Sequence, residues 1–190
     1  KVIKLYKEGK SAYKIMNILK ISSKFYIYNI LKREKITRTY NKCHAPIKRK
    51  KNFFKEINTG IKAYLLGFLY ADGCVHSHNF GVSLALHKKD IEILKLFKKH
   101  LKLDQKIVPV KGKNTLRLEF HDINIHNDLI KHGCVPKKSL ILTPPKIDKK
   151  YEMEFIRGYF DGDGSIYRRL NPLRYGFEIC GTFEMVDWIA

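Results

Sequence analysis

The sequence predicts an α+β fold in which a unit of the form αββαββα occurs twice, with a shorter second copy, after a small all-helical domain. Two apolar helical stretches predict the repeat, because they end in Asp72-Gly73 and Asp163-Gly164 and similar strand patterns follow both. The helical domain is predicted by residues 1–39, whose apolar side chains recur at helical spacing. The predicted divisions are residues 1–45 (helical domain), 46–57 (basic linker), 58–150 (first half) and 151–190 (second half).

Net charge narrows the class of partner. Lys and Arg number 38 against 18 Asp and Glu, so the chain carries +20 with its histidines neutral. This excess indicates a polyanionic partner, with nucleic acid ahead of a membrane surface. The alternative is an ordinary basic protein whose lysines serve solubility. Hydrophobic residues make up 44% of the chain, enough to bury a core and to exclude a disordered protein.

The cysteines bear on compartment and on metal binding. Cys43, Cys74, Cys134 and Cys180 show no CxxC spacing, and the sequence has neither a signal peptide nor a long apolar run. Both facts predict an intracellular protein with reduced thiols and no membrane partner. A zinc site is the alternative at Cys43-His44 and around Cys74, but zinc ligands usually come in tight pairs. His76 and His78 instead fit one face of a strand.

Three short helices are predicted in the first domain, at Val2–Glu8, Ser11–Leu19 and Ser23–Glu34. Gly9 ends the first helix, Ser11 caps the second, and Ser22 or Ser23 caps the third. The expected shared core consists of Tyr13 or Ile15, with Ile18, Leu19, Ile27, Ile30 and Leu31.

The second and third helices predict a helix-turn-helix, because a tight turn joins them and the third has a basic polar face. Residues of that face suited to base edges and phosphates are Lys24, Tyr28, Asn29 and Lys32, and Arg38 follows in an arm. The alternative is a plain three-helix bundle with a solvated charged face.

The first half begins with a helix from a cap at Asn58 or Thr59 to Ala71, with Gly73 as its C-terminal stop. The elements predicted next are strands at Cys74–His78 and Gly81–His87, a helix from Asp90, strands at Lys106–Val110 and Leu116–Phe120, and a helix capped by Asp122 and ended by Gly133.

The second copy repeats this spacing. A helix starts 18 positions after Asp72, and another starts 19 positions after Asp163 at Thr182. The strands between them are Ser165–Leu170 and Arg174–Cys180, with a turn at Asn171-Pro172. The first copy spans 63 positions after its aspartate and the second only 27, so we expect about 36 residues of the second copy to lie beyond this sequence.

Both repeated aspartates lie at the negative end of a helix macrodipole, where a cation would be preferred. Small residues recur every four positions and form grooves that admit close helix packing: Ala63, Gly67 and Ala71 in the first helix, Gly158 and Gly162 in the second. Helices crossed along these grooves bring Asp72 and Asp163 side by side, where they repel unless a cation binds. Mg²⁺ or another divalent cation fits, since it takes oxygen ligands and keeps waters. The alternative is that both aspartates are only turn residues.

Two other phosphate- or metal-binding motifs are excluded. Asp161-x-Asp163-x-Ser165 imitates the start of an EF-hand loop, but Ile166 and Pro172 stand where that loop needs Gly and Glu. The sequence also lacks a GxxxxGK[ST] loop, so nucleotide-driven chemistry has no support.

The strands alternate between an apolar and a polar face. The apolar positions are Val82, Leu84 and Leu86, and Leu116, Leu118 and Phe120. The polar positions are Arg117 and Glu119, and in the second copy Tyr167, Arg169, Arg174 and Glu178. A curved antiparallel sheet with a basic face can enter a DNA major groove, although any half-exposed sheet alternates in this way.

Leu65–Gly73 and Ile156–Gly164 resemble the motif that names the LAGLIDADG homing endonucleases, in their single-chain, two-motif form. Gly133–Ser139 resembles the family's segment between the copies. The resemblance implies a pseudo-twofold fold and a monomer when full length. One departure is Tyr70, at the sixth motif position, which is usually acidic and which Asp161 keeps in the second copy.

The resemblance also implies a site-specific, Mg²⁺-dependent endonuclease of double-stranded DNA that leaves short 3′ overhangs. Asp72 and Asp163 then bind the metal and cut one strand each. Lys138, or Lys137 in its place, polarises the scissile phosphate or activates water. Alternatives on the same scaffold are an intron RNA maturase, a non-catalytic DNA-binding regulator and an endonuclease within an intein. We expect weak or absent cleavage by residues 1–190, because half of the second sheet is missing.

Overall fold

The computed structural model describes residues 1–34, 36, 49–170 and 172–190, which belong to two units, Lys1–Ile47 and Lys48–Ala190. Expectations that concern Arg38, Cys43, His44 and Asn171 lie outside the described residues. Helices and antiparallel sheets together make the larger unit α+β, whereas the described part of the smaller unit is helical. None of the helices in the described ranges is both long and apolar enough to cross a membrane.

The smaller unit contains α1 (Val2–Lys7), α2 (Ala12–Leu19) and α3 (Lys24–Arg33). Ser11 and Ser23 cap α2 and α3, since each side chain accepts a backbone N–H of the first turn. Its buried core consists of Ala12, Ile15, Ile27 and Leu31. Ile18 was expected in this core, but it is 54% exposed because it lies at the edge of the inward stripe through Ala12 and Ile15.

The larger unit follows the predicted order of elements. Its first half contains α4 (Gly60–Ala71), β1 (Gly73–Val75), β2 (Gly81–His87), α5 (Ile91–Leu101), β3 (Val108–Pro109), β4 (Thr115–His121) and α6 (Ile123–Lys131). Its second half contains α7 (Glu152–Asp163), β5 (Gly164–Leu170), β6 (Leu173–Ile179) and α8 (Phe183–Ile189). The first sheet has the strand order β1-β2-β4-β3, and the second is the hairpin β5-β6; all pairs are antiparallel.

Strand β1 differs from its prediction at both ends. It stops at Val75, three residues early, because the chain turns through Asn79 and Phe80, which both have positive φ. His76 and His78 therefore do not share a strand face. Gly73 was expected as the C-terminal stop of α4; the helix does end at Ala71 with Asp72 as its C-cap, and Gly73, without a positive φ, starts β1. Its lack of a side chain matters for packing, since a Cβ there would fall within 3.0 Å of the preceding turn's backbone.

The first sheet buries the face that its alternation predicted. Val82 lies opposite Phe120 in the β2–β4 pairing, and both side chains are buried. Ser83 and Glu119, the next pair along, lie on the other face and are only partly covered. Three residues of α5 complete this core: Leu94, Phe97 and Leu101. The polar face of the sheet is thus left to solvent, as the pattern predicted.

The segment expected as a basic linker, residues 46–57, is part of the larger unit where it is described. Phe53, Phe54 and Ile57 are buried in the main core, and the Lys50 N–H donates to Leu101 O at the end of α5. The sequence suggested a linker because a run of lysines comes just before these aromatic residues. Burial of two phenylalanines fixes this segment on the core.

Candidate active site

Helices α4 and α7 cross in direct backbone contact at two glycines, each the third residue of its motif. A Cβ on Gly67 would lie within 3.0 Å of the Phe155 carbonyl group, and one on Gly158 within 3.0 Å of the Tyr64 carbonyl group. Each carbonyl belongs to the residue three positions before the facing glycine. Equivalent residues therefore exchange equivalent contacts, which makes the crossing pseudo-twofold.

The other small residues of the two helices have different surroundings. Ala71 and Gly162, the seventh motif residues, face each other, and a Cβ on Gly162 would collide with that of Ala71. There is room for one methyl group at this point of the crossing. Ala63 is fully buried in the main core. At the opposite end of the crossing, Gly60 packs against the Glu154 side chain, whose Cγ lies 3.2 Å from the position of a Cβ.

The two motif aspartates lie where this crossing ends. Asp72 is the C-cap of α4 and Asp163 is the last residue of α7. Asp72 Oδ2 is 3.4 Å from the position that a Cβ on Gly162 would take, so this carboxylate reaches the facing helix.

Both carboxyl groups are electrostatically strained. Asp72 is exposed at its surface, yet desolvation by the surrounding protein raises its pKa, and the negative charge of Asp163 raises it further. Burial also raises the pKa of Asp163, which is half-buried. Lys138 opposes the shift at both groups. The pair is therefore close enough to repel, and one lysine serves both members.

Lys138 occupies the C-terminal end of α4. Its side chain is buried, and its Nζ donates to Ala71 O at 3.1 Å and Gly73 O at 2.6 Å. A cation at these carbonyls opposes the negative end of the helix dipole, which the aspartate alone would aggravate. Lys137 is exposed and has a positive φ of 57°. Of the two lysines considered from the sequence, the structure brings Lys138 to the aspartates.

Tyr70, the departure at the sixth motif position, fixes the segment that leads to this lysine. Its buried hydroxyl donates to His132 O, and a ring nitrogen of His132 lies 2.8 Å from Phe54 O. Gly133 follows with φ +96°, as predicted for the end of α6, and a Cβ there would strike the Tyr70 hydroxyl. Burial raises the pKa of Tyr70, so the hydroxyl remains a donor at neutral pH.

Two tyrosine contacts near the aspartates were not foreseen. Tyr64 donates from its hydroxyl to Asp161 Oδ2 at 2.8 Å, so the acidic sixth residue of the second motif is tied to α4. Tyr159 donates to Cys180 O at 2.8 Å, and the Cys180 N–H donates to Asp163 O at 3.0 Å. These bonds hold the backbone of the second aspartate. The only sign of these bonds in the sequence is a tyrosine in or beside each motif, because its hydroxyl can form a hydrogen bond.

The donor set suits a hard cation. Across the described ranges, no group of three or more His, Cys, Asp or Glu side chains could hold a metal ion. Asp72 and Asp163 offer oxygen ligands and more negative charge than Lys138 alone offsets, and Mg²⁺ commonly uses one or two carboxylates while water and phosphate oxygens complete its shell. His76, considered for zinc, has its ring 3.1 Å from Ser83 Oγ. The described cysteines, Cys74, Cys134 and Cys180, are free thiols.

The predicted polar strand residues fall on exposed sheet faces. Arg169 lies directly opposite Arg174 in the second sheet, and Tyr167 is opposite Gly176, so these three predicted residues share one face with Glu178, which lies opposite Ser165. The Tyr167 ring covers Gly176, where a Cβ would be 2.6 Å from the ring, and the Arg169 guanidinium is 5.3 Å from the ring centre. We call Tyr167, Arg169 and Arg174 the basic face of the second sheet. Arg117 is exposed on the polar face of the first sheet.

The four residues predicted to face DNA from α3 are exposed: Lys24, Tyr28, Asn29 and Lys32. Two aromatic residues at the start of α3 were missed. Phe25 is 70% and Tyr26 59% exposed, and neither was assigned to this face from the sequence. Exposed aromatic side chains beside lysines extend the same surface and can stack on or contact bases.

Comparisons with known proteins found little likeness. No protein-family model matches the chain, and no curated protein matches it significantly. Among solved structures, the chain is similar to the crystal structure of the I-LtrWI LAGLIDADG homing endonuclease bound to target DNA, with a TM-score of 0.39 and 16% sequence identity. The likeness covers 61% of this chain and 64% of that one, less than two thirds of its length.

Proposed function

We propose that this protein is a Mg²⁺-dependent endonuclease of double-stranded DNA, of the LAGLIDADG type. One observation carries the proposal: two motif aspartates, Asp72 and Asp163, meet at a pseudo-twofold helix crossing beside a buried lysine. The two backbone strands of duplex DNA are related by local twofold symmetry, so each carboxylate of a pseudo-twofold pair can act on one strand.

The residues divide the chemistry between them. Asp72 and Asp163 would hold the cation, which when bound supplies Lewis acidity and an activated water. Lys138 keeps two of its three N–H donors on the carbonyls of Ala71, in α4, and Gly73, in β1, which leaves one for a phosphate oxygen. Its charge also opposes the repulsion between the two carboxylates, so it positions them as well as attracting phosphate.

DNA binding is assigned to three surfaces. They are the basic face of the second sheet, Arg117 on the first sheet, and the exposed face of α3 in the smaller unit, which we propose is a helix-turn-helix. Arg–Arg and Arg–Tyr neighbours on a sheet suit phosphates and base edges in the major groove. The net charge of +20 supports a polyanionic partner in the same way.

The test begins with selection of bound duplexes from a random DNA pool by residues 1–190. Mg²⁺ is then added to the selected duplexes, with matched RNA as a competitor. We expect sequence-selective DNA binding, and slow cleavage that Asp72→Asn and Asp163→Asn abolish while leaving binding intact. Because cleavage by residues 1–190 is expected to be weak or absent, tight DNA binding would favour a regulator only if Mg²⁺ neither cuts the DNA nor changes its binding. Preference for structured RNA would favour a maturase, and either result would overturn the proposal.

A further inference from the structure

A cavity of about 650 Å³ lies at the N-terminal end of α4, and five cationic or titratable basic side chains line it: Arg49, Lys50, Lys51, Lys62 and His100. Its volume lies within the usual range for small-molecule sites. Helix α4 has 12 residues and rises about 1.5 Å per residue, so the cavity and the aspartates are separated by roughly 18 Å. The cavity is therefore not part of the candidate active site.

Arg49 has an acidic partner, Asp122 at 3.6 Å, but within the described ranges Lys50, Lys51 and Lys62 form no ion pair. No acidic side chain is among the described residues that line it. The pKa of His100 is lowered by burial and by the positive charges of Lys99 and Lys50. Burial also lowers the pKa of Lys62; Glu56 opposes the shift and Lys50 adds to it. A lysine that depresses the pKa of two neighbouring bases marks a site where an anion would relieve repulsion.

The cavity wall is built before any ligand arrives. Lys50 is held by its N–H bond to Leu101 O at 3.0 Å, and the Phe53 N–H donates to Lys50 O at 3.1 Å while the Phe53 ring is buried. The Arg49 guanidinium is almost fully buried and donates to His121 O at 2.6 Å. Its Nε finds no hydrogen-bond partner in the described part of the chain. A wall whose backbone and buried arginine are already ordered loses little entropy on binding an anion.

Neutral donors complete the lining. Asn52 and Thr59 both border the cavity, and Thr59 is the N-cap of α4 although its side chain makes no capping bond. The hydroxyl and the positive end of the α4 dipole are thus both available to an anion. Ile61 adds an apolar wall beside Phe53.

We infer that this cavity binds a phosphate group, at a site separate from the aspartate pair. The lysines supply charge, Asn52 and Thr59 supply neutral hydrogen bonds, and the buried arginine anchors the wall. The phosphate belongs either to a free phosphate or nucleotide, or to a nucleic-acid backbone that reaches this end of α4.

The experiment uses residues 1–190 and three probes: inorganic phosphate, adenosine monophosphate and a short oligonucleotide. Titration calorimetry measures affinity, and NMR follows the His100 ring, whose pKa a bound dianion would raise. We expect Lys50→Gln and Lys62→Gln to weaken binding about tenfold, the effect of one charge-assisted hydrogen bond. Lys146→Gln, an exposed lysine that does not line the cavity, is the matched control.

Lysine-dependent binding of phosphate or the nucleotide supports a small ligand, and lysine-dependent binding of the oligonucleotide alone supports the backbone as its source. The inference fails if no probe saturates, or if Lys146→Gln weakens binding as much as Lys50→Gln. Circular dichroism checks each variant's fold, and exposed Lys50 gives an informative variant even if Lys62→Gln misfolds. Loss of DNA cleavage in the aspartate variants has no bearing on this result, so the two proposals fail independently.

Discussion

Gly67 and Gly158 occupy equivalent positions on the two sides of the α4–α7 crossing, and each lies against a backbone carbonyl of the other helix. Neither contact leaves space for a methyl group. Because Asp72 and Asp163 follow these glycines by five residues in each motif, the crossing sets where both carboxylates stand. The stability and the chemistry of this protein therefore depend on the same contact.

Gly158→Ala should destabilise the larger unit strongly. Its Cβ would meet backbone atoms of Tyr64, which cannot move without shifting α4, so we expect a loss of about 3 kcal/mol or more. Gly60→Ala is the matched control, because its Cβ meets only the flexible Glu154 side chain. Urea denaturation should show less than about 1 kcal/mol of change there. Equal effects would mean that the helices cross elsewhere.

Exchanging Ala and Gly between the two seventh motif positions should restore the stability that one substitution alone removes. Gly162→Ala alone collides with the Ala71 methyl group, and we expect it to cost about 1–3 kcal/mol. Adding Ala71→Gly removes that methyl group, so the double variant should recover most of the loss. A double-mutant cycle measures the coupling. Additive losses in the two single variants would contradict a shared space for one methyl group.

Lys138→Met should destabilise the fold although it adds an apolar side chain to a buried site. It leaves the carbonyls of Ala71 and Gly73 without their donor and removes the cation between two carboxylates. We expect a loss of roughly 2–4 kcal/mol in the free energy of unfolding. Lys137→Met, the same change on an exposed neighbour, should have little effect. Comparable losses would show that net charge, not this contact, matters.

The repeated Asp-Gly ends carried most of what the sequence could predict. They predicted a close helix crossing at the small residues, which the structure has at Gly67 and Gly158, whereas the roles given to Asp72 and Asp163 stay predictions. Local chemistry also placed the caps at Ser11 and Asp122. The bonds that hold the site were not predictable in this way. Tyr70 reaches His132, 62 residues later, and no pattern in the sequence encodes such a long-range partner.

Errors arose where burial depends on tertiary cover. Phe53 and Phe54 follow a run of lysines, so the segment resembled a solvated linker, yet both rings are buried. Ile18 has helical spacing but lies at the edge of the packed stripe of α2. In each case the sequence shows which residues are apolar, whereas the neighbouring elements decide which of them meet a partner.

The aspartate pair should make stability fall as pH rises. The pKa of each carboxyl group is raised on folding, so between the unfolded value near 4 and the raised folded values the native state binds more protons. The stability that the folded state gains from this proton binding is present at low pH and is lost as pH rises through that window. Asp72→Asn should flatten this dependence and raise the free energy of unfolding at pH 7 by less than about 1 kcal/mol, since solvent screens the charge.

Mg²⁺ should oppose the same repulsion. Millimolar Mg²⁺ is expected to raise the Tm of the unmodified chain but not that of the Asp72→Asn, Asp163→Asn double variant. Asp148→Asn is the control, because Asp148 is exposed in a 3.5 Å pair with Lys150 and should change neither response.

The pH prediction has its own contradicting outcome. If the free energy of unfolding depends more steeply on pH in Asp72→Asn than in the unmodified chain, the folded protein stabilises the carboxylates and does not strain them.

The two hairpins should respond differently to the same substitution. Val82 and Phe177 are equivalent by register, since Val82 lies opposite Val75 and Phe177 opposite Ile166, three residues after each motif aspartate. Val82 is fully buried because β4 and its Phe120 cover it, whereas Phe177 is 75% exposed and, among the described strands, β6 pairs only with β5. Val82→Ser should therefore cost roughly 2–4 kcal/mol, and Phe177→Ser less than about 1.

Urea denaturation at several protein concentrations measures both variants. A loss for Phe177→Ser as large as that for Val82→Ser would show that Phe177 is covered in solution, and dependence on concentration would identify the cover as a second copy of the chain. A small, concentration-independent effect would show that the apolar face of the second hairpin meets water, because burial and not residue type determines what a side chain contributes.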